Sequence, residues 1–341
     1  METYEICLDG KLKELENSLI ASDHSNKEAL ALLALASLKG VGYWTLFGLK
    51  RQNITFSSIL DLDDGAEVTN LLRKHGARIG ESNIDWKDAS SKASERSHRL
   101  YDDLLSKGTQ IAFLGSAIYP KALLGLEEPP AWLFIRGDAT ALSRPSITAV
   151  GTRKPSADGE WLSQYVGMNL ADWKASTVSG LATGMDQAVH EFSIRMKVPT
   201  IAVLGTGIQT EYPKGSSRLA DRIVSEGGAI VTEYLPNDSY SGENFVRRNR
   251  LQAALGKVLI PIEWSPKSGT AHTVNFASKL RRPIAALKAV DWPETRVLLP
   301  SKSHFNSGVF TVPRDQNSFF EFVLNALSAP LPLPETQLDL I

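Results

Sequence analysis

The sequence predicts an α/β protein with a doubly wound parallel sheet, preceded by a small helical domain. Between residues 146 and 290, short β-branched runs alternate with helix-like stretches, which is the pattern of consecutive βα units. The predicted strands are Ile147-Val150, Ser176-Val178, Thr200-Leu204, Ala229-Val231 and Val258-Ile262. Because parallel strands of such a sheet end at one edge, we expect the loops after them to gather there.

The chain divides into three predicted regions. Residues 1–85 are predicted to be helical, with a hairpin of two helices joined by Lys39-Gly40-Val41-Gly42. Residues 86–290 hold the sheet, including entry strands at Gln110-Leu114 and Trp132-Arg136. Residues 291–341 form a C-terminal extension, in which we expect one helix at Ser318-Leu327 and an extended or disordered Pro-Leu tail.

Composition limits the class of protein. The 341 residues are 43% hydrophobic, and 37 basic and 38 acidic side chains leave a net charge of −1. This balance disfavours a generally basic surface but permits a local positive patch. The single cysteine, Cys7, indicates a reducing compartment. The longest apolar run, Ala29-Leu38, is too short for a bilayer, so we expect a cytoplasmic protein without membrane contact.

The first predicted loop has the residue types of a phosphate site. Gly151 permits a tight turn, Thr152 offers a hydroxyl and an amide, and Arg153 adds a forked cation near the start of the next helix. Backbone N–H groups at a helix start together with an arginine suit a phosphate. The alternative is an ordinary βα turn with a solvated arginine.

Two further loops contain small residues. Ser179 and Gly180 begin the segment Ser179-Gly180-Leu181-Ala182-Thr183-Gly184, whose glycine spacing differs from the dinucleotide-binding fingerprint. Asp186 follows as a ligand contact or a helix cap, and His190 is expected to be structural. Gly205, Thr206 and Gly207 indicate backbone that approaches either a ligand or a neighbouring loop.

The strongest local positive charge lies at a predicted helix start. Arg247, Arg248 and Arg250 oppose the helix dipole there, so bound phosphates are one explanation and a solvated helix face is the other. Lys267, Ser268, Gly269 and Thr270 open the next helix as an anion-binding nest. No Walker A loop precedes that helix.

The pattern of residues favours a binding protein over an enzyme. We find no Ser-His-Asp order, no Cys/His metal spacing and no clear carboxylate pair, so no catalytic residue, metal or cofactor is predicted. Among aromatic residues near the loops, Trp264 is the best candidate for stacking on a base.

Spaced motifs between about residues 110 and 287 resemble the DNA-processing protein A family (DprA/Smf). They occur in the order found in that family. The motifs are Tyr119-Pro120, Pro129-Asp138, Val150-Arg153, Ser179-Asp186 with His190, Val203-Gly207 with Tyr212-Pro213, Phe245 with Arg248-Asn249-Arg250, and Glu263 with Ser268-Thr270 and Thr273.

The resemblance implies an extended Rossmann-like domain that binds single-stranded DNA, usually as a homodimer. It also implies delivery of that strand to a RecA-type recombinase and protection of DNA during natural transformation. The family's DNA pocket corresponds to Arg153, Ser179-Gly180, Gly205-Thr206-Gly207, Arg248, Arg250 and Lys267-Thr270. Leu38-Gly42 resembles the turn of a helix-hairpin-helix or SAM-like domain; it could offer amides to a phosphate or be a plain helix connection.

This sequence departs from the family pattern in three places. Val246 replaces a proline, Lys288-Trp292 replaces a Gly-rich loop, and residues 291–341 are too few for the C-terminal winged helix of many members. Two alternative functions remain open. One is a nucleotide-binding sensor or nucleotide hydrolase, in which Glu233 or Glu263 would act as an acid. The other is an interaction module without DNA affinity.

Overall fold

The structure is a computed structural model that describes residues 24–80, 85–297, 299 and 307–331. The chain divides into two units, Met1–Phe113 and Leu114–Ile341. This boundary lies later than the one predicted near residue 85. Cys7 and most of the Pro-Leu tail lie outside the described residues.

Helices form most of the described part of the first unit. The helix α1 covers residues 24–36. It is followed by α2 (Tyr43–Arg51), α3 (Phe56–Leu60), α4 (Gly65–Lys74), α5 (Trp86–Ser106) and the strand β1 (Thr109–Phe113). The turn between α1 and α2 packs against the segment after α4, because the Gly40 carbonyl accepts a hydrogen bond from the Arg78 N–H at 2.8 Å. A side chain at Gly40 would collide with the Arg78 carbonyl.

Residues 81–97, which the sequence leaves as a linker or an exposed helix start, belong largely to α5. Trp86, Ala93, Ser97 and Leu104 are its buried residues. Their spacing places them on one helix face. Two of the four are small, so the buried stripe is inconspicuous in a segment rich in Ser, Lys and Asp.

The second unit contains the sheet. Its strands are β2 (Trp132–Gly137), β3 (Ser146–Gly151), β4 (Ser176–Ser179), β5 (Thr200–Val203), β6 (Ala229–Thr232), β7 (Val258–Ile262), β8 (Ile284–Ala289) and β9 (Ser307–Val312). Its helices are α6 (Ala157–Trp173), α7 (Met185–Arg195), α8 (Ser217–Ser225), α9 (Gly242–Leu255), α10 (Gly269–Lys279) and α11 (Gln316–Ser328).

The strand order identifies an extended Rossmann-like sheet, as predicted. The described strands of the second unit are ordered β2-β6-β5-β4-β3-β7-β8-β9. Strand β2 is antiparallel to β6, whereas the pairs from β6 to β9 are parallel. The order reverses between β3 and β7, which is the topological switch point where ligands of such folds bind.

Hydrophobic residues cover both faces of the sheet. Ile147 and Ala149 of β3 pack in the core formed with α6 and α11, whereas Val150 packs with α9 and α10. This alternation follows the period of two along a strand and explains why β3 reads as a nearly continuous apolar run.

The C-terminal extension adds a strand that the sequence analysis does not predict. β9 pairs in parallel with β8, and Phe319 of α11 is buried in the same core as Phe310 of β9. Val309–Val312 are β-forming residues, but Ser307 and Gly308 before them are not, and Pro313 follows directly, so the run is too brief to be recognised as a strand from local sequence. Its position is set by pairing with β8, which the local sequence does not reveal.

Candidate functional site

A pocket of about 470 Å³ lies at the carboxyl ends of β3 and β7, where the strand order reverses. It is lined by Val150, Gly151, Thr152, Arg153, Lys154, Ala182, Asp186, Phe245, Val246, Arg248, Asn249, Gln252, Ser268, Gly269, Thr270 and Thr273. Seven of these were predicted site residues: Gly151, Thr152, Arg153, Arg248, Ser268, Gly269 and Thr270. The structure therefore brings together the first predicted loop, one arginine of α9 and the start of α10.

Hydrogen bonds hold the first loop in a fixed position. The Thr152 N–H donates to the Glu263 carbonyl at 3.0 Å, and the Thr152 carbonyl accepts from the Met185 N–H at 3.1 Å. The Lys154 N–H donates to the Thr152 hydroxyl at 3.2 Å. Arg153 and Lys154 are exposed. Two cations at the pocket mouth are thus carried by backbone that is fixed to β7 and α7.

The first turn of α10 forms another wall. Ser268 bonds back to the Ser265 carbonyl at 2.6 Å instead of capping the helix, and Thr270 donates to the Gly151 carbonyl at 3.0 Å. The amide of Asn249 donates to the Gly269 carbonyl at 3.1 Å. The N-terminal N–H groups of a helix favour an anion, so this wall suits a phosphate.

Arg248 lies inside the protein, with 4% of its surface exposed. Its Nη1 donates to the carbonyls of Gly180 and Val203, at the ends of β4 and β5. Burial lowers the pKa of the guanidinium to about 10, and the charge of Asp186 opposes this shift. Arg248 therefore stays charged at neutral pH and joins α9 to two strands.

Asp186 balances this charge from the start of α7. Its carboxylate accepts a hydrogen bond from the Gly180 N–H at 3.1 Å. Burial raises the pKa of Asp186 above its ordinary value, although Arg248 and the N–H groups of Gly151 and Gly180 oppose the change. The sequence analysis gave two alternatives for Asp186, a ligand contact or a helix cap. In the structure Asp186 lines the pocket and accepts a hydrogen bond from the loop before α7.

His190 is fully buried, in agreement with a structural role. Its Nδ1 is 2.7 Å from the Thr200 hydroxyl. Burial, followed by the positive charge of Arg248, lowers the pKa of His190 to about 3. The side chain is therefore neutral at physiological pH.

The remaining predicted residues do not line this pocket. Ser179 donates to the Ala149 carbonyl within the sheet. A side chain at Gly205 would collide with the Phe245 ring, and the Gly207 N–H donates to the Asp238 carbonyl at 2.9 Å. The backbone of Gly205 and Gly207 thus packs on the start of α9 and the segment that leads into it, which is one of the two arrangements predicted. Lys267 is exposed just before the pocket-lining residues of α10.

The other two arginines of α9 are directed to glutamates. Arg250 is buried and pairs with Glu233, with Nη1–Oε1 at 2.5 Å. Arg247 is 3.2 Å from Glu128 and 3.8 Å from Glu233. Because α9 begins at Gly242, both arginines lie beyond its first turn, where the helix dipole is weak, and protein carboxylates balance their charge.

An aromatic group adjoins the pocket mouth. The Tyr212 ring is 4.6 Å from Tyr240 and 4.9 Å from Phe245, measured between ring centroids. Tyr240 is 57% exposed, and the Arg153 guanidinium lies 5.6 Å from the Phe245 centroid. Trp264, the aromatic residue chosen from the sequence, instead packs half-buried against the core between α9 and α10.

Glu263 and Glu233 are both engaged by the protein. Glu263 accepts from the Ser156 N–H at 2.8 Å and pairs with Arg296 at 3.0 Å.

Among the described residues, no group of three or more His, Cys, Asp or Glu side chains could hold a metal ion. The same part of the chain contains no helix with both the length and the apolar character needed to cross a membrane.

Three residues of interest were not among the predicted site residues. Lys154 follows Arg153 in the first loop, and Gln252 lies one helical turn after Arg248, so both could have been found from their spacing. Tyr240 precedes α9 without any local pattern. Only its contact with Tyr212 and Phe245 brings it to the pocket.

The comparisons with known proteins cover the part of the chain that forms this pocket. The family model described as DNA recombination-mediator protein A matches residues 110–297. Protein Smf of Escherichia coli (strain K12) is 34% identical over 172 residues, covering 50% of this chain and 46% of that protein. The DNA processing protein DprA of Bacillus subtilis (strain 168) is 33% identical over 175 residues, covering 51% and 59%. The chain thus spans about half the length of these curated relatives.

Solved structures show the same fold. DNA processing protein A of Streptococcus pneumoniae matches with a TM-score of 0.57 and 24% identity, over 85% of this chain and 95% of that one. DNA processing protein A of Helicobacter pylori, described by its single-stranded DNA binding mode, matches with a TM-score of 0.54 and 26% identity, over 63% and 97%. With the family model matching more than half of its residues, the chain belongs to the DNA recombination-mediator protein A family of DprA and Smf proteins.

Proposed function

We propose that this protein is a DNA-processing recombination mediator that holds single-stranded DNA at the pocket between β3 and β7. The observation that carries the proposal is the convergence of three anion-attracting features on one cavity. These are the exposed cations Arg153 and Lys154 and the first turn of α10. The homologous protein from Helicobacter pylori, whose structure is described by its single-stranded DNA binding mode, supports the same ligand.

The aromatic group supports a single strand over a duplex. Bases are free to stack on aromatic side chains only when they are unpaired. Tyr240 is exposed beside Phe245, which lines the pocket, so a strand whose phosphate lies at the mouth has an aromatic surface within reach. The proposal therefore combines backbone attraction with base stacking.

The finer part of the proposal rests on the resemblance to the family. The protein would protect the bound strand, act as a homodimer and transfer the strand to a RecA-type recombinase during natural transformation. Strand exchange by the recombinase, in the presence of a single-strand-binding protein, measures this transfer. A rate unchanged by the added protein would contradict the mediator role while leaving DNA binding intact.

Fluorescence anisotropy with a labelled single strand and the matching duplex, across a salt series, tests the binding. The wild type should prefer the single strand, and Arg153→Ala with Lys154→Ala should weaken binding and reduce the salt slope by about 1.4, or about 0.7 per lost phosphate contact. Lys197→Asn with Lys279→Ala removes two exposed charges, one two residues after α7 and one at the end of α10, and serves as the matched control. Equal losses in the two double variants would contradict the pocket assignment.

The same experiment distinguishes the mediator role from the nucleotide-sensor alternative. A folded wild-type protein that binds no single strand at low salt, but whose fluorescence or thermal midpoint responds to a nucleoside monophosphate, would place that alternative ahead of the mediator role.

A further inference from the structure

The side-chain amide of Gln252 lies in the pocket wall and is not used by the contacts described above. Gln252 is 1% exposed and lines the pocket. Within the described parts of the chain, its Nε2 has no hydrogen-bond partner. The backbone beneath it is fixed, because the Thr148 hydroxyl donates to the Gln252 carbonyl at 2.6 Å. Buried donors without a partner destabilise a fold and are rare, so this one indicates a place for an acceptor from a ligand.

The surroundings of this amide carry no net charge. A Cβ atom at Gly180 would lie 2.6 Å from the Arg248 Nη1, the Asp186 Oδ2 and the Gln252 Nε2, so these three polar groups surround the Gly180 Cα. The guanidinium and the carboxylate offset each other there. Arg153 and Lys154 are exposed at the mouth, and neither forms an ion pair with a described acidic residue.

The cations at the mouth and the offset charges around the amide suit different parts of a nucleotide. A phosphate is stabilised at the mouth, by the two cations and the start of α10. At the floor, a neutral polar group is favoured, because a second anion would face the Asp186 carboxylate. The deoxyribose of a DNA strand has no free hydroxyl, whereas every base edge carries hydrogen-bond acceptors. A cavity of about 470 Å³ lies within the size range of small-ligand sites.

We propose that Gln252 recognises a nucleobase: its Nε2 donates a hydrogen bond to an acceptor on the base of one nucleotide whose phosphate lies at the pocket mouth. This inference rests on the proposed binding of single-stranded DNA. It makes the pocket a site for a whole nucleotide unit of the strand, and Gln252 a specificity-determining residue in it.

The test compares a strand of thymidines with a strand of equal length made of abasic tetrahydrofuran residues, using the full chain. Gln252→Met keeps the length of the side chain and removes the donor. It should weaken binding of the thymidine strand by about tenfold and leave the abasic strand within about twofold, as expected for loss of one buried hydrogen bond. The salt slope should not change, since no cation is removed.

Two controls keep the result interpretable. Leu251→Met alters packing at the neighbouring buried position of α9, which does not line the pocket, and should leave both affinities unchanged. Urea unfolding of each variant shows whether the fold survives. If Gln252→Met does not fold, Gln252→Leu provides a second substitution without the donor, with the same expected difference between strands.

An equal loss on both strands would overturn the inference, since it would place the contact on the sugar-phosphate backbone. An unchanged affinity for thymidine would overturn it as well. Either result leaves wild-type DNA binding in place. Failure of the wild type to bind the thymidine strand is the distinguishable outcome that overturns the proposed function and this inference together.

Discussion

Arg250 and Glu233 form a two-point ion pair, in which Nη1–Oε1 is 2.5 Å and Nη2–Oε2 is 2.7 Å. Their side chains are 8% and 1% exposed. Glu233 directly follows β6, and Arg250 lies in the second half of α9. The pair therefore fixes α9, which also carries Arg248 and Gln252, to the edge of the sheet where the pocket lies.

Removing one partner of this pair should affect stability more than DNA binding. We expect Arg250→Met to lower the free energy of unfolding by about 3 kcal/mol, because the buried Glu233 carboxylate loses its two-point partner and keeps the more distant Arg247 at 3.8 Å. Urea unfolding measures the loss, and Arg250→Met with Glu233→Gln should recover part of it. A fully stable Arg250→Met protein that has lost its DNA affinity would instead assign this arginine to the ligand.

Gly180 should not tolerate a side chain. A methyl group there would lie 2.6 Å from three polar atoms of Arg248, Asp186 and Gln252. Gly180→Ala is therefore expected to cost about 1–3 kcal/mol through overpacking and to reduce DNA affinity. Gly242→Ala is the matched control, because its added methyl has open space at the start of α9. Thermal unfolding of both variants checks the difference, and equal midpoints would contradict the close approach.

His190 should make stability depend on pH in the acidic range. Its pKa is about 3 in the folded protein, against an ordinary value near 6.5, so the unfolded chain binds a proton that the folded one excludes. His190 therefore does not lower the free energy of unfolding above about pH 6.5. Below that pH its effect lowers the free energy of unfolding, down to about pH 3, with a slope of up to about 1.4 kcal/mol per pH unit.

The His190 contribution can be measured by urea unfolding between pH 7 and pH 4. His190→Gln should flatten the decrease, although it also lowers stability at neutral pH by disturbing the contact with Thr200. His272→Gln, at an exposed position of α10, should follow the wild-type slope. A wild-type slope retained in His190→Gln would show that another group causes the decrease.

Tyr240 should contribute to binding through stacking and not through charge. Tyr240→Ala is expected to lower the affinity for a single strand by about 5- to 150-fold, the range for loss of one base–aromatic contact. The salt slope should stay constant, in contrast to the Arg153→Ala and Lys154→Ala variant. Tyr240→Phe keeps the ring and serves as the control. Equal affinities of Tyr240→Ala and Tyr240→Phe would exclude stacking at this position.

The sequence by itself determined the α/β fold class, most of the strands and the position of the loops at one edge. These features follow from short-range signals: short β-branched runs, the Gly or Ser residues that follow them, and the helix-like stretches between them. Val258–Ile262 is predicted and observed with identical bounds. The first loop and the start of α10, which both line the pocket, were likewise evident from local residue types.

Only the tertiary structure decided which polar side chains reach the pocket and which are held by the protein. Three neighbouring arginines have different environments. Arg248 contacts a carbonyl 68 residues away, Arg250 a carboxylate 17 residues away and Arg247 a carboxylate 119 residues away. The contact of Tyr240 with Tyr212 and the pairing of β9 with β8 also depend on distant segments. Burial and ion pairing are set by neighbours in space, which local periodicity and propensity do not specify.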